Sequence, residues 1–491
     1  MPEDPDKIAA AEFREEEQRV ETKSAEFKKE LGLTDLVLTQ ILFIVGLPWV
    51  GVAAKQGQSH IVLWLAAILL FYIPSAVVVI YLNRAMPLEG GLYQWAKLGF
   101  NDMVGFLVAW NLWLFAILNT SEIGLQVTQY IGYILGPGSE DLVSGKSFIG
   151  IASAAIIGAL IVITVVGLGV GKWVHKAGGI LMLLTFAAVL VLPLLNLANG
   201  SLPAGAGYHP LKLEMPDVST SAAALMTLNL MGKMGFGALG GFEYVAIHAG
   251  ECKDPVRSIG RSVAVAAPII ALMFILGTSS VLSLVPQEQI DLIAPVPQVL
   301  SIGFSRFGGS LGFFAAVAPG AIMALLAIRL AQSSVMFAGN TRLPMVAGWD
   351  NLLPAWFTKL HAKYKTPVNS ILFVGAVTLV LALVGLIGVG KQEAFQLLWN
   401  ASGLFYALTY LVMFAIPVFG LKGGAVQPPV WVKVCALCGL LMVLLYVALS
   451  IVPIIKVESQ LAFALKISAL IIVANIIGLG IYLLARRRRE N

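Results

Sequence analysis

Long apolar runs separated by short polar segments divide the chain almost from end to end. A helix needs about 20 predominantly apolar residues to cross the hydrocarbon core of a bilayer. Twelve runs fit that requirement: Leu36–Ala54, Ile61–Leu82, Met103–Ile134, Phe148–Leu168, Trp173–Leu197, Ser221–His248, Ser262–Val285, Leu311–Ala338, Val368–Gly388, Phe395–Phe419, Trp431–Val452 and Leu465–Ala485. The third is long enough to require a steep tilt. The predicted fold class is an all-α integral membrane protein with 12 transmembrane helices. Residues 1–35 form a polar tail, 36–197 a first group of five spans, 198–220 a loop, and 221–419 a second group of five. Residues 420–485 carry the last two spans and 486–491 a basic tail.

The loops set the orientation. Cytoplasmic loops carry an excess of Lys and Arg. With the N-terminus inside, the inner segments hold 23 basic residues, among them Arg14, Arg19, Lys97, Lys172, Arg342 and Arg486–Arg489. The outer loops hold 6: Lys55, Lys146, Lys212, Arg306, Lys391 and Lys456. An even number of spans then places both termini in the cytoplasm, and the plasma membrane is the expected location. Residues 1–30 are charged throughout and lack the apolar stretch and cleavage site of a signal peptide.

Composition agrees with the pattern. Hydrophobic residues make up 58% of the 491 and charged residues 12%, where a soluble chain carries roughly 25% charged. The net charge of +5 is spread over short loops and gives no reason to expect nucleic acid. Cys435 and Cys438 have C-x-x-C spacing, but they open an apolar run with no second ligand pair nearby. With Cys252 they read as small packing residues, so no metal, cofactor or disulfide is expected.

Two spans carry helix-breaking residues. The first reads Val45-Gly46-Leu47-Pro48-Trp49-Val50-Gly51, and the sixth reads Gly235-Phe236-Gly237-Ala238-Leu239-Gly240-Gly241. Proline removes a backbone donor and clashes with the preceding turn, and repeated glycines weaken a helix. Irregular backbone persists at membrane depth only where it lines a protected cavity. Glycines at such spacing also permit close helix packing. The two breaks fall in equivalent positions of two five-helix halves, where transporters built from inverted repeats place their binding sites.

Three further motifs carry a resemblance. They are Met86-Pro87-Leu88-Glu89-Gly90-Gly91-Leu92-Tyr93-Gln94-Trp95, then Gly241-Phe242-Glu243 with Glu251-Cys252-Lys253-Asp254-Pro255, then Asn340-Thr341-Arg342-Leu343-Pro344 with Thr366-Pro367-Val368-Asn369. In order and spacing, over nearly the whole chain, they resemble permeases of the amino-acid/polyamine/organocation superfamily. The resemblance implies a leucine-transporter-like fold of 5+5 inverted repeats with broken helices 1 and 6, and transport by alternating access through symport or exchange. Carried onto this chain, the substrate-binding residues are Gly46, Leu47, Pro48, Trp49 and Gly51 in the first span and Gly237, Ala238, Gly240, Gly241 and Phe242 in the sixth. Trp113, Ala116 and Thr120 of the third span share a helical face expected to look onto the site. Relatives that take α-amino acids hold the carboxylate on helix-one N–H groups. Pro48 has none, which makes a polyamine or organic cation a serious alternative substrate. The loop from Gly136 to Lys146 has no cysteine, so the disulfide-linked heavy chain of some similar exchangers is not expected.

Ionisable residues inside spans are functional candidates by default. Glu243 either takes up a proton or hydrogen-bonds the unwound backbone. Glu122 either meets a cationic substrate or faces a neighbouring helix and pairs with a buried cation. Lys233 either attracts a carboxylate or snorkels outward. In sodium-coupled members of this fold, hydroxyls of the eighth span and carbonyls of the first hold the ion, which makes Ser333 and Ser334 possible sodium ligands, with helix-packing hydroxyls the favoured reading. Arg329 close by is a fixed cation able to stand in for that ion, a role given to a helix-five lysine in some proton-coupled members. Thr185 is near that position here. No Walker A, H-E-x-x-H or G-x-S-x-G sequence occurs, so neither an ATP-driven pump nor an enzyme is expected. The expected function is secondary transport of a small amino acid coupled to H+, Na+ or counter-substrate, with a non-transporting nutrient sensor of the same fold as a rival.

Overall fold

The computed structural model describes residues 14–15, 18–22, 24, 29–136, 138–202, 213–308, 312–385, 391–419, 427–454 and 459–490. Lys7, Lys23, Lys28, Lys212, Lys422 and Lys456, counted above for orientation, lie outside them, as do parts of the expected tail 1–35 and loop 198–220 and residues 386–388 of the expected ninth span. The chain is all-helical, and among the described residues the one β pairing is an isolated bridge between Leu31 and Cys252.

In chain order the helices are α1 (Leu33–Ile44), α2 (Leu47–Ala54), α3 (Gly57–Ala85), α4 (Leu92–Gly99), α5 (Asp102–Leu135), α6 (Lys146–Val166), α7 (Leu168–Ala198), α8 (Ser221–Glu251) and α9 (Pro255–Leu284). They continue with α10 (Pro295–Gly308), α11 (Gly312–Trp349), α12 (Val368–Val384), α13 (Lys391–Phe419), α14 (Val430–Leu449) and α15 (Gln460–Glu490). Among the described residues, 10 helices are long and apolar enough to cross a membrane, and 11 when α1 and α2, bent by 46° at their junction, count as one. The expected ninth span is the shorter α12, whose 17 residues fall below the roughly 20 that a crossing takes.

Local chemistry fixes the helix ends. Asn101 accepts from Val104 N at 3.0 Å and caps α5, Thr220 accepts from Ala223 N at 3.1 Å and caps α8, and Asp254 accepts from Arg257 N at 3.2 Å ahead of Pro255 at the start of α9. Each cap satisfies donors that a helix start leaves free. The helices divide by burial. Two-thirds of the apolar window of α11 is inside the protein (67%), against 22% of that of α15. The central helices α5, α8, α11 and α13 therefore enclose whatever lies between them, while α15 presents apolar side chains such as Leu461, Ile472 and Ile476 outward.

The three sequence motifs meet at one end of this bundle. The backbone N–H of Gly250 donates to Glu89 Oε2 at 2.7 Å and that of Gly90 to Ile247 O at 3.1 Å. Arg342 pairs with Glu251, which His248 also meets at 3.0 Å. Gly91, at φ +47°, lies so close to Ala246 that a Cβ there would come within 2.8 Å of its carbonyl carbon. At the same end Asp350 gathers Arg19, Tyr93 and Lys97, and Leu31 pairs with Cys252.

Helix irregularity is wider than the sequence suggested. The breaks in the first and sixth spans were expected. The turn at Glu122, which splits the third span into Asp102–Ser121 and Ile123–Leu135, and the π-helical stretch Ile68–Tyr72 in α3 were not. The π-helical stretch lies just ahead of Pro74, whose missing N–H leaves Leu70 O without its helical partner, whereas the turn at Glu122 has no proline or repeated glycines.

Candidate functional site

The two expected breaks lie against each other. The α-helical path of the first span stops at Val45 and Gly46 and resumes at Leu47, with Pro48 near the start of α2, where its missing N–H costs no bond. The sixth span widens to a π-helix over Lys233–Ala238, loses helical structure at Gly240 and Gly241, and continues as a 3-10 helix over Phe242–Glu251. Gly241 has φ +139°, a conformation that side chains rarely adopt, and a Cβ there would stand 2.7 Å from Ile44 and 2.8 Å from Phe43. Trp49 fills the slot between the breaks. A Cβ on Gly237 would meet its Cη2 at 2.5 Å, and one on Gly46 would meet its Cδ1 at 2.6 Å.

The freed backbone groups find partners on neighbouring helices. Gln332 of α11 donates its Nε2 to Leu42 O at 2.9 Å and to Val45 O at 2.8 Å, closing two carbonyls at the end of α1. Gly241 N donates to the Tyr410 hydroxyl at 2.7 Å, and Tyr244 donates its hydroxyl to Met336 O at 2.6 Å. Tyr406 and Tyr410 of α13 both donate to the carboxylate of Glu243. Glu243 is thus joined to α13 as well as to the unwound segment it follows.

A cavity of about 70 Å³ lies at this junction. Gly46 and Trp49 line it from the first span, Gly237 and Gly240 from the sixth, Phe115 and Asn119 from α5, Arg329 and Gln332 from α11, and Trp399, Ser402 and Tyr406 from α13. Phe43, Ile44, Phe236, Met336, Gly403 and Tyr446 complete the wall. Aromatic rings dominate: Trp49 meets Trp399 at 5.3 Å and Phe115 stacks on Tyr406 at 4.1 Å. The arrangement combines an aromatic wall with a few fixed polar groups, the usual composition of a small-molecule site.

The remaining sequence candidates fall around this chamber or away from it. Leu47, Pro48, Ala238, Ala116 and Thr120 are buried but are not in its lining. Gly51 abuts Pro295, and Phe242 stacks on Tyr72 at 4.7 Å. The face of α5 that lines the chamber carries Phe115 and Asn119, whereas Trp113 stacks on Phe373 and lines a separate apolar cleft with Trp110 and Phe357. The expected face of the third span is therefore displaced: Trp113 stands too far around the helix from Phe115 to share its outlook, at about 100° per residue. Lys233 does not snorkel. It is 2% exposed, with Nζ 3.2 Å from Asn400 Oδ1 and 5.8 Å from the centre of the Tyr446 ring. Glu122, wholly buried at its turn, pairs with Arg329. Ser334 Oγ lies 3.3 Å from His175 Nε2, and Ser333 is buried.

The α13 contribution went unnoticed in the sequence, although Trp399, Ser402, Gly403, Tyr406 and Tyr410 recur at helical spacing inside a span. Polar and aromatic groups on one stripe of a membrane helix are a signal in themselves.

The amino acid permease family model matches residues 31–481, and the chain belongs to that family. It is 25% identical to an uncharacterised transporter of Legionella pneumophila, over 80% of this chain and 81% of that one. It is 26% identical to the chloroplastic cationic amino acid transporter 7 of Arabidopsis thaliana, over 64% and 54%, and 23% identical to the branched-chain amino acid permease BcaP of Bacillus subtilis, over 76% and 79%. The protein is a multi-pass membrane transporter of amino-acid-permease type.

Proposed function

We propose that the chain is a secondary active transporter of a small amino acid at the plasma membrane, working by alternating access with both termini in the cytoplasm. The carrying observation is the cavity where the break at Gly46 meets the loosened segment Gly237–Gly241. Two breaks that share one chamber allow the outer and inner halves of these spans to move separately, so that access opens on one side at a time. In this reading residues 36–197 and 221–419 are the two inverted repeats of a 12-helix chain, with α12 as its ninth span and 420–485 peripheral.

The coupling favoured is to protons or to counter-substrate. Gln332 bonds the Leu42 and Val45 carbonyls at the end of α1 and Ser334 is engaged with His175, which leaves fewer free oxygens between the first and eighth spans for a sodium ion. Glu243, held by two tyrosines of which Tyr406 lines the cavity, is the site for a transported proton.

A second reading, transport of a polyamine or organic cation, is favoured by the aromatic wall of Trp49, Trp399, Phe115 and Tyr406, which suits cation–π contact. Reconstituted proteoliposomes separate the possibilities. Saturable uptake of a labelled amino acid, stimulated by unlabelled amino acid inside or by an inward proton gradient, is expected. Uptake of amines alone would replace the substrate class, and binding without flux would make the protein a sensor.

A further inference from the structure

The break in the first span offers few donors. Pro48 has no N–H, the N–H groups of Val45, Gly46 and Trp49 are spent on Ile41 O, Ile44 O and Gly46 O, and that of Leu47 remains. One side chain away from the break, beyond Gln332, stands a group with donors to spare. Arg329 lines the chamber beside Asn119 and Gln332 and is 7% exposed. A guanidinium carries five N–H donors. One bond from Nη2 goes to Glu122 Oε1 and one from Nη1 to Gln332 Oε1, the latter long at 3.4 Å, while the buried Nε has no partner.

We propose that Arg329 is the carboxylate anchor of this site, taking the substrate's carboxylate on the donors that Glu122 and Gln332 leave over, where the first-span break offers few backbone N–H groups. The proposal rests on the reading of the cavity as an amino-acid site and names its recognition element. Planar, bidentate pairing is what a guanidinium does best with a carboxylate. Glu122 lies behind Arg329, wholly buried and outside the cavity lining. Its pairing with Nη2 offsets the guanidinium's charge. Gln332 fixes the geometry: its Nε2 is tied to Leu42 O and Val45 O while its Oε1 faces Arg329. A carboxylate drawn to Arg329 is therefore coupled through one side chain to the place where the first span bends. Lys233 is another buried cation near the chamber, but it does not line it.

The test uses the purified full chain and thermal stabilisation titrated with α-amino acids, their carboxamides and their decarboxylated amines. The double substitution Glu122→Gln with Arg329→Gln removes both charges together and avoids stranding a buried carboxylate. Wild type is expected to bind α-amino acids and not the amines. The double variant is expected to bind α-amino acids about tenfold or more weakly, with carboxamide affinity unchanged. Equal α-amino-acid affinity in a folded double variant, or a loss that appears in Lys233→Gln instead, overturns the anchor while leaving amino-acid transport standing. Stabilisation of wild type by amines alone overturns both.

Discussion

Gly237 and Trp49 provide the sharpest test of how the two broken spans fit. A methyl group on Gly237 would lie 2.5 Å from Trp49 Cη2, 3.0 Å from Cζ2 and 3.1 Å from Cζ3, about 1 Å inside the usual carbon–carbon separation of 3.5–4.0 Å. Gly46 lies close along the other edge of the indole, where a Cβ would stand only 2.6 Å from Cδ1. Overpacking of this kind costs about 1–3 kcal/mol. Gly→Ala in a helix returns up to about 1 kcal/mol, so Gly237→Ala is expected to destabilise by about 1–2 kcal/mol and to weaken ligand binding. Trp49→Phe removes the atoms that clash, at its own cost in lost packing. The two together should be less harmful than their sum, with a coupling of about 1–2 kcal/mol. The assay is a double-mutant cycle on thermal unfolding in detergent, repeated with ligand. Strict additivity, or a neutral Gly237→Ala, would refute the interlocked packing of the two breaks.

Other expectations follow from single groups. Glu89 lies in the loop before α4, where burial foremost, and Glu251 next, push its carboxyl up to about 8 against the opposing pull of Arg342 and the Gly250 N–H. The folded state then holds a proton that the unfolded chain releases near the ordinary value of 4.5, so stability present at low pH is lost as pH rises from there through about 8. Melting temperature against pH should fall less steeply over this window in Glu89→Gln than in wild type, and parallel curves would count against the assignment. Gln332→Ala strands the Leu42 and Val45 carbonyls and should cost about 1–3 kcal/mol, visible as a lower melting temperature. Wild-type uptake should be unchanged when sodium is replaced by potassium, and a steep sodium dependence would contradict the role given to Gln332.

The helices were legible because their cause is compositional: a bilayer demands an unbroken apolar length, and the runs in the sequence supply it. The breaks at Gly46 and Gly240–Gly241 were legible because proline and glycine act through their own backbone. The turn at Glu122 was not, since the irregularity coincides with a long-range pair to Arg329, 207 residues away. From the third span the chamber is lined by Phe115 and Asn119 and not by Trp113, Ala116 or Thr120, a distinction that helical spacing alone cannot make when both sides of the helix are apolar. The α13 wall was missed because its helix runs unbroken and carries no buried charge at the chamber, although Trp399, Ser402 and Tyr406 already marked a stripe.

The central claim is that an amino acid occupies the chamber between the two breaks. Ser402 lines that chamber, and its replacement by cysteine in a Cys435→Ala, Cys438→Ala background, with Cys252 buried outside the lining, places a single chamber-lining thiol there, reached only when the site opens. The rate at which a small thiol reagent labels Ser402→Cys is the measurement. The account predicts slower labelling in proportion to site occupancy when a transported amino acid is added, and an unchanged rate with a non-transported one. Full transport activity with labelling indifferent to substrate would contradict it.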